Sequence, residues 1–267
     1  MKLETKAVEK VWGRRNLPPP FTAVGEAAGE EPVGEIWFEP PPELPQVLVK
    51  YLFTSEKLSV QVHPSNAEAP DGERGKEECW LVLDAVPGAT LAIGFKQTTT
   101  GEAMRAAALD GSIEERLEWH PVKAGDFFYL PAGTVHAIGP GLTLVEVQQN
   151  SDITYRLFDY GRPRELHLEE GVAVAQGAPY PESCRQTVGP DADVTLVRGP
   201  HFRFSQCAGE PDASLRATHS GSLLILPLEG QVTIDQEVIG AGECGLASAI
   251  DAVDFAEARR TLLVSAA

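Results

Sequence analysis

Basic residues, cysteines and long apolar runs are all scarce in this chain. Lysine and arginine together number 22 against 39 aspartates and glutamates, a formal charge of −17. Such a field repels nucleic-acid backbones and anionic lipid surfaces, so neither nucleic acid nor membrane is an expected partner. No apolar run approaches the roughly 20 residues that cross a bilayer. The start, Met1-Lys2-Leu3-Glu4-Thr5-Lys6, lacks the apolar core of a signal peptide. The four cysteines, Cys79, Cys184, Cys207 and Cys244, form neither a C-x-x-C pair nor a closely spaced framework. They read as small buried apolar residues of a reduced, cytoplasmic protein. An anionic substrate would need a local basic pocket set against the overall field, so individual Arg and Lys positions carry weight.

What is abundant is turn chemistry. With 267 residues, 25 Gly, 21 Pro and 43% hydrophobic residues, the chain can bury one large core or two small ones, and it favours many short strands over a helical bundle. Strands are expected over 47–53, 58–63, 79–84, 90–95, 126–130, 142–148 and 154–158. A helical island of about 98–119 interrupts them: Thr100 can cap one segment, and Ser112-Ile113-Glu114-Glu115 has the capping-box pattern of another. A further short helix is expected from about His167 to Gly177. Residues 177–193 read as a linker rich in Pro, Gly and polar residues. Beyond it, Gly240-Ala241-Gly242-Glu243 aligns with Lys123-Ala124-Gly125-Asp126, and 223–234 then echoes 80–93 as a strand, turn, strand unit. In that register Val253 stands where His136 stands in the first copy. The expectation is a metal-binding domain over 1–176, a linker over 177–193, and a smaller domain over 194–267 without metal ligands.

Three separated segments of the first copy offer a ligand set for one divalent metal. In Leu58-Ser59-Val60-Gln61-Val62-His63-Pro64, strand alternation puts Ser59, Gln61 and His63 on one face. In Lys76-Glu77-Glu78-Cys79-Trp80 the same parity pairs Lys76 with Glu78 and turns Glu77 away. The segment 125–136 runs Gly125, five residues, Pro131, one residue, Gly133, two residues, His136. Two imidazoles and a carboxylate suit zinc with an open position, and the Gln61 amide oxygen supplies a weaker fourth contact. Taken singly, each residue has an ordinary structural explanation. Their order and spacing argue for a shared site, whereas His120, His167, His201 and His219 lack such context. Two histidines and a carboxylate also suit non-haem iron, so the metal alone does not choose the chemistry.

The 125–136 spacing resembles the second cupin motif. The fold expected is therefore all-β dominated: a cupin barrel, or double-stranded β-helix of jelly-roll type, with a small helical insertion and a second, smaller cupin-like barrel. Residues 58–64, 76–80, 133–139 and Val145-Glu146-Val147-Gln148-Gln149-Asn150-Ser151-Asp152-Ile153-Thr154-Tyr155-Arg156-Leu157-Phe158-Asp159-Tyr160 together resemble the type I phosphomannose isomerases. Trp12-Gly13 and Gly34-Glu35-Ile36-Trp37 fit the start of the same family, so the resemblance covers about 1–175.

The resemblance implies a zinc-dependent interconversion of mannose 6-phosphate and fructose 6-phosphate, with one Zn2+ per chain held by Gln61, His63, Glu78 and His136. It makes Arg156 the active-site arginine and Ser59 a phosphate contact. Arg162, six residues after Arg156, is a second candidate phosphate contact, since a guanidinium suits a phosphate fork. Proton transfer between C1 and C2 needs a base, for which Glu146 and Lys76 both qualify by strand parity. A cupin isomerase of another sugar, or a metal-stabilised sugar-binding cupin, is the competing reading. The helical island is much smaller than the helical domain of the long family forms. Nothing in the sequence fixes an oligomeric state.

Overall fold

The computed structural model describes residues 1–27 and 29–267. The first part of the chain forms β1 (Thr5–Arg14), β2 (Val33–Phe38), β3 (Val47–Phe53), β4 (Val60–Val62), β5 (Glu78–Ala85), β6 (Thr90–Phe95), β7 (Leu117–Pro121), β8 (Asp126–Leu130), β9 (His136–Ile138), β10 (Leu142–Gln149) and β11 (Tyr155–Phe158). The remainder forms β12 (Arg185–Thr187), β13 (Val194–Arg198), β14 (Phe202–Cys207), β15 (Leu223–Ile234), β16 (Glu237–Gly240), β17 (Gly245–Ala247), β18 (Val253–Asp254) and β19 (Ala258–Ala266). One sheet runs β1-β2-β3-β10-β5-β8-β12, a second runs β11-β4-β9-β6-β7, and a third runs β13-β14-β19-β15-β16 with β17 and β18 also on β15. The first two sheets face each other as a jelly-roll of cupin type. Among the described residues they are not joined by hydrogen bonds into one closed barrel.

Strand parity builds four layers of packing. On β3, Val47, Val49, Tyr51 and Phe53 point to one side and join Cys79, Leu81, Val145 and Val147 in a cluster shared with Phe204, Leu224, Leu226, Leu262 and Val264 of the third sheet. On the other side, Leu52, Trp80, Val82, Leu142 and Leu144 meet Leu91, Ile93 and Ile138 across the jelly-roll interior. The outer face of the second sheet, with Val60, Val62, Ala92 and Ala137, is covered by Met104, Ala107, Ala108 and Ile113 of the helical island. The third sheet uses alternate residues of β15 and β19 the same way: Leu223, Ile225 and Leu263 enter a last cluster with Val232, Ile234 and Phe255. Each fully buried aliphatic side chain stabilises by about 1.5–3 kcal/mol, so these layers hold the strand register rigidly.

Several local expectations are corrected. Thr100 does cap the helix Gly101–Asp110, accepting from the Ala103 N–H at 3.2 Å. Ser112 does not form its capping box: its backbone is helical, its side chain caps nothing, and its N–H donates to Asp110 Oδ1 at 2.8 Å. Only the single turn Ile113–Arg116 follows. The helix expected from about His167 to Gly177 spans Leu168–Val174. The 177–193 stretch is not bare, because β12 adds to the edge of the first sheet on β8. Leu223–Ile234 is one unbroken strand, not a strand, turn, strand unit. It bends between Pro227 and Gly230, where Gly230 takes φ +76°, and changes partners from β17 to β16 and β18. Among the described residues no helix is long and apolar enough to cross a membrane.

Candidate metal centre and active-site cavity

The interior-facing positions of β4, β5 and β9 converge. Gln61 on β4 stands opposite His136 on β9, and His63 follows two residues later with the same parity. Two glycines make that approach possible. Gly125 and Gly133 take φ +89° and +83°, and a Cβ there would lie 2.6 Å from the Val188 carbonyl oxygen and 2.9 Å from the Val174 carbonyl oxygen, respectively. Gly133 also donates its N–H to the His63 carbonyl at 2.8 Å, tying the two histidine segments together.

His63, Glu78 and His136 are all buried, and one potential ligand atom of each lies within 4.8 Å of the others. The His63 ring contacts the Ile153 carbonyl through Nδ1 at 2.7 Å, and the His136 ring contacts the Thr134 carbonyl through Nδ1 at 2.9 Å. A carbonyl can only accept, so both Nδ1 atoms carry the proton and both Nε2 lone pairs are left for the centre. The Glu78 carboxylate lies 3.6 Å from His63 Nε2 and 3.4 Å from His136 Nε2. This donor set fits a divalent metal. Burial, then Lys76, pushes the His63 pKa well below its usual range, and burial lowers that of His136 against the pull of Glu78. Burial acts to raise Glu78, but Lys76, His136 and Lys50 together hold it below the ordinary carboxylate range. The group therefore presents neutral imidazoles and an ionised carboxylate, the protonation states that bind metal.

Glu77 is turned away, as parity requires, and accepts from the Tyr129 hydroxyl. Gln61 is in place, but its oxygen accepts from Ser59 Oγ at 3.2 Å while its Nε2 faces His136 Nε2 at 3.3 Å. With the His136 proton on Nδ1, the amide nitrogen is the half that satisfies Nε2, and a half-turn of the amide exchanges the two. Lys76 donates to Glu78 Oε2 at 2.6 Å and to His63 Nε2 at 3.1 Å, and lies 3.7 Å from Glu146 Oε1. Its contact with the His63 lone pair and a metal on that nitrogen exclude each other.

A cavity of about 400 Å³ opens beside this group, bordered by Ser59, Gln61, Lys76, Glu146 and Arg156 among others. Glu146 is buried, pairs with Lys50 at 3.0 Å and accepts from Trp80 Nε1 at 3.0 Å. Arg156 donates Nη1 to the Glu165 carbonyl at 2.7 Å, while its Nε is buried without a protein partner. Burial and the neighbouring Arg164 lower its pKa. Arg162 is not brought to this cavity. Its guanidinium donates to the Lys57 carbonyl at 2.6 Å, pairs with buried Asp159 at 3.0 Å and lies over the Tyr160 ring. Arg164, which forks onto the same Asp159 at 2.6 and 2.7 Å, does border the cavity. The sequence reading missed Lys50, Glu35 and Trp37. Lys50 bridges Glu146 and Glu35, the latter at 3.5 Å, and Glu35 accepts from Trp37 Nε1 at 2.8 Å. The signal was a lone lysine inside Val47-Leu48-Val49-Lys50-Tyr51-Leu52-Phe53, an otherwise apolar strand.

No protein-family model matches the chain. A mannose-6-phosphate isomerase of Streptococcus mutans is 46% identical over 213 residues, covering 72% of this chain and 64% of the relative. A mannose-6-phosphate isomerase of Bacillus subtilis is 39% identical over 199 residues, covering 69% of this chain and 62% of the relative. The aligned part thus spans a little under two thirds of the length of these curated relatives. A crystal structure of the mannose 6-phosphate isomerase from Bacillus subtilis superposes with a TM-score of 0.76 at 25% identity, covering 98% of each chain. In sequence and in fold, the chain is a relative of the mannose-6-phosphate isomerases.

Proposed function

We propose that the chain is a zinc-dependent aldose–ketose isomerase that interconverts mannose 6-phosphate and fructose 6-phosphate through an enediol. The observation that carries this reading is the convergence of His63, Glu78 and His136, with both Nε2 atoms and the carboxylate close enough to share one ion once Lys76 and the Gln61 amide give way, at the wall of a cavity bordered by Glu146, Lys76 and Arg156. The names and fold of the relatives agree with it. His63, Glu78 and His136 would hold the metal, with the Gln61 oxygen as fourth ligand after its amide turns. Bound there, zinc supplies a Lewis acid for oxygen on which negative charge develops.

The remaining chemistry belongs to side chains. Moving a proton between C1 and C2 requires a base, and Glu146 is the better placed candidate, because Lys50 and the Trp80 N–H fix its carboxylate at the cavity. Lys76 sits between Glu78 and Glu146 and stabilises charge close to both. Arg156, with an unpartnered Nε, is suited to a substrate oxygen that gains charge in the transition state. Ser59, beside Gln61, together with Arg164 in place of Arg162, would meet the phosphate. The test measures bound metal and conversion of mannose 6-phosphate on one preparation, with native protein and with Arg156→Ala. Stoichiometric zinc with turnover, and a loss of about 100-fold or more in kcat for the variant, supports the reading. Zinc without turnover of any hexose phosphate overturns it.

A further inference from the structure

One buried group at the cavity wall has no task in the scheme above. Gln148 shares the interior face of β10 with Glu146, stands opposite Glu78 in the register with β5, and borders the cavity while only 1% exposed. Its amide orientation is fixed, because Nε2 donates to the Gln149 carbonyl at 2.8 Å and to the Ser151 carbonyl at 2.9 Å. Both N–H groups are therefore occupied, and turning the amide would set its oxygen against two carbonyl oxygens. The remaining half, Oε1, is a buried acceptor with no donor from the protein. A buried carbonyl oxygen left without a hydrogen bond is costly, so this position calls for a donor from a ligand.

We propose that Gln148 Oε1 accepts a hydrogen bond from a hydroxyl of the sugar and makes Gln148 a specificity-determining residue. The inference rests on the isomerase reading for the identity of the sugar. Carbons 1 and 2 react, carbon 6 carries the phosphate and the C5 oxygen is taken up in the ring of the closed sugar, so the hydroxyl proposed is that on C3 or C4, which carry one in both ring and open-chain forms. An amide that can only accept selects a group with a proton to give. A deoxy sugar leaves the acceptor empty in a desolvated site and is rejected for that reason.

The experiment compares mannose 6-phosphate with its 3-deoxy and 4-deoxy analogues, by turnover and by calorimetric binding, in the zinc-loaded native protein and in Gln148→Met. The native protein prefers the parent over one analogue by ~100-fold or more, within the range for sites that hydrogen-bond a substrate hydroxyl. In Gln148→Met that preference falls to ~10-fold or less, because the parent is handled worse and the analogue is not. A uniform loss on all three compounds means a structural role only and overturns the proposal. So does an unchanged preference. Should the variant fail to fold, the native series decides: absence of discrimination against both analogues overturns the proposal. Native protein that binds these sugars without turning them over overturns the isomerase reading alone, and the binding preferences still decide Gln148. Native protein that neither binds nor converts them overturns both.

Discussion

His219 and the pair His63 and His136 are equally buried, at 0%, 2% and 1% exposure, and they do opposite things with their ring nitrogens. His219, in the third sheet region, contacts Ser265 Oγ through Nδ1 at 2.9 Å and Ser205 Oγ through Nε2 at 2.8 Å. Both nitrogens are satisfied by the protein, so nothing remains for a ligand. His63 and His136 each bond a backbone carbonyl through Nδ1 and turn Nε2 toward Glu78, where the Lys76 ammonium and the Gln61 amide, both at the cavity, are the groups a metal would displace. The surroundings differ in the same sense. On the strands of the third sheet the buried polar side chains, Ser205, Gln206, Thr261 and Ser265, carry no charge, whereas one end of the jelly-roll interior concentrates Lys50, Lys76, Glu78, Glu146 and Gln148, all buried. Burial of a histidine is therefore no guide to its role; the partner of each nitrogen is.

The comparison breaks most sharply at the ligands. His136→Ala should abolish stoichiometric metal by elemental analysis and lower kcat/KM by about 10³-fold, several kcal/mol of lost charge stabilisation, whereas His219→Ala should leave both unchanged. Next, Lys50→Met removes the ammonium shared by Glu35 and Glu146 and leaves two buried carboxylates short of a partner. Denaturant unfolding should show a loss of about 3–5 kcal/mol. His219→Ala leaves the Ser205 and Ser265 hydroxyls without their imidazole partner and should cost about 1–3 kcal/mol by the same measurement.

Acid sharpens the contrast further. Burial, then Arg203 and Arg198, lowers the His219 pKa to about 4. The unfolded chain takes up the proton near 6.5 and the folded chain does not, so the contribution of His219 is complete above 6.5 and lost as pH falls toward 4. The difference in stability between native protein and His219→Asn should therefore shrink by roughly 3 kcal/mol between pH 7 and pH 4. A difference constant with pH would contradict this. The smallest effect expected is at the arginines. Arg164→Ala should raise KM for mannose 6-phosphate about 10-fold, whereas Arg162→Ala, which removes contacts to Asp159, Lys57 and the Tyr160 ring away from the cavity, should leave KM unchanged.

Much of the first two sheets was legible because their strands alternate. The expected spans 47–53, 90–95 and 126–130 match β3, β6 and β8 residue for residue, and parity alone separated Glu78 from Glu77. What was not legible depended on contacts distant in sequence. Lys50 reads as an anomaly in an apolar strand until Glu35 and Glu146, on the neighbouring strands, come to either side of it. Arg162 and Arg164 differ only in which of them the turn after Asp159 aims inward, and no spacing rule encodes that. Ser112 carried the letters of a capping box, but Asp110 took its N–H first. The span 223–234 was read as a strand, turn, strand unit because the sequence does not reveal that one strand pairs with β19 up to Gly230 and with β16 beyond it.

On the proposed reading, His63, Glu78 and His136 hold one zinc ion that isomerisation requires. This requirement is tested most directly by stripping the purified protein with a chelator, restoring it with graded zinc, and following conversion of mannose 6-phosphate. Turnover should vanish after stripping and recover linearly, saturating at one zinc per chain. Full turnover by the metal-free protein, or saturation with zinc and no turnover, would contradict it.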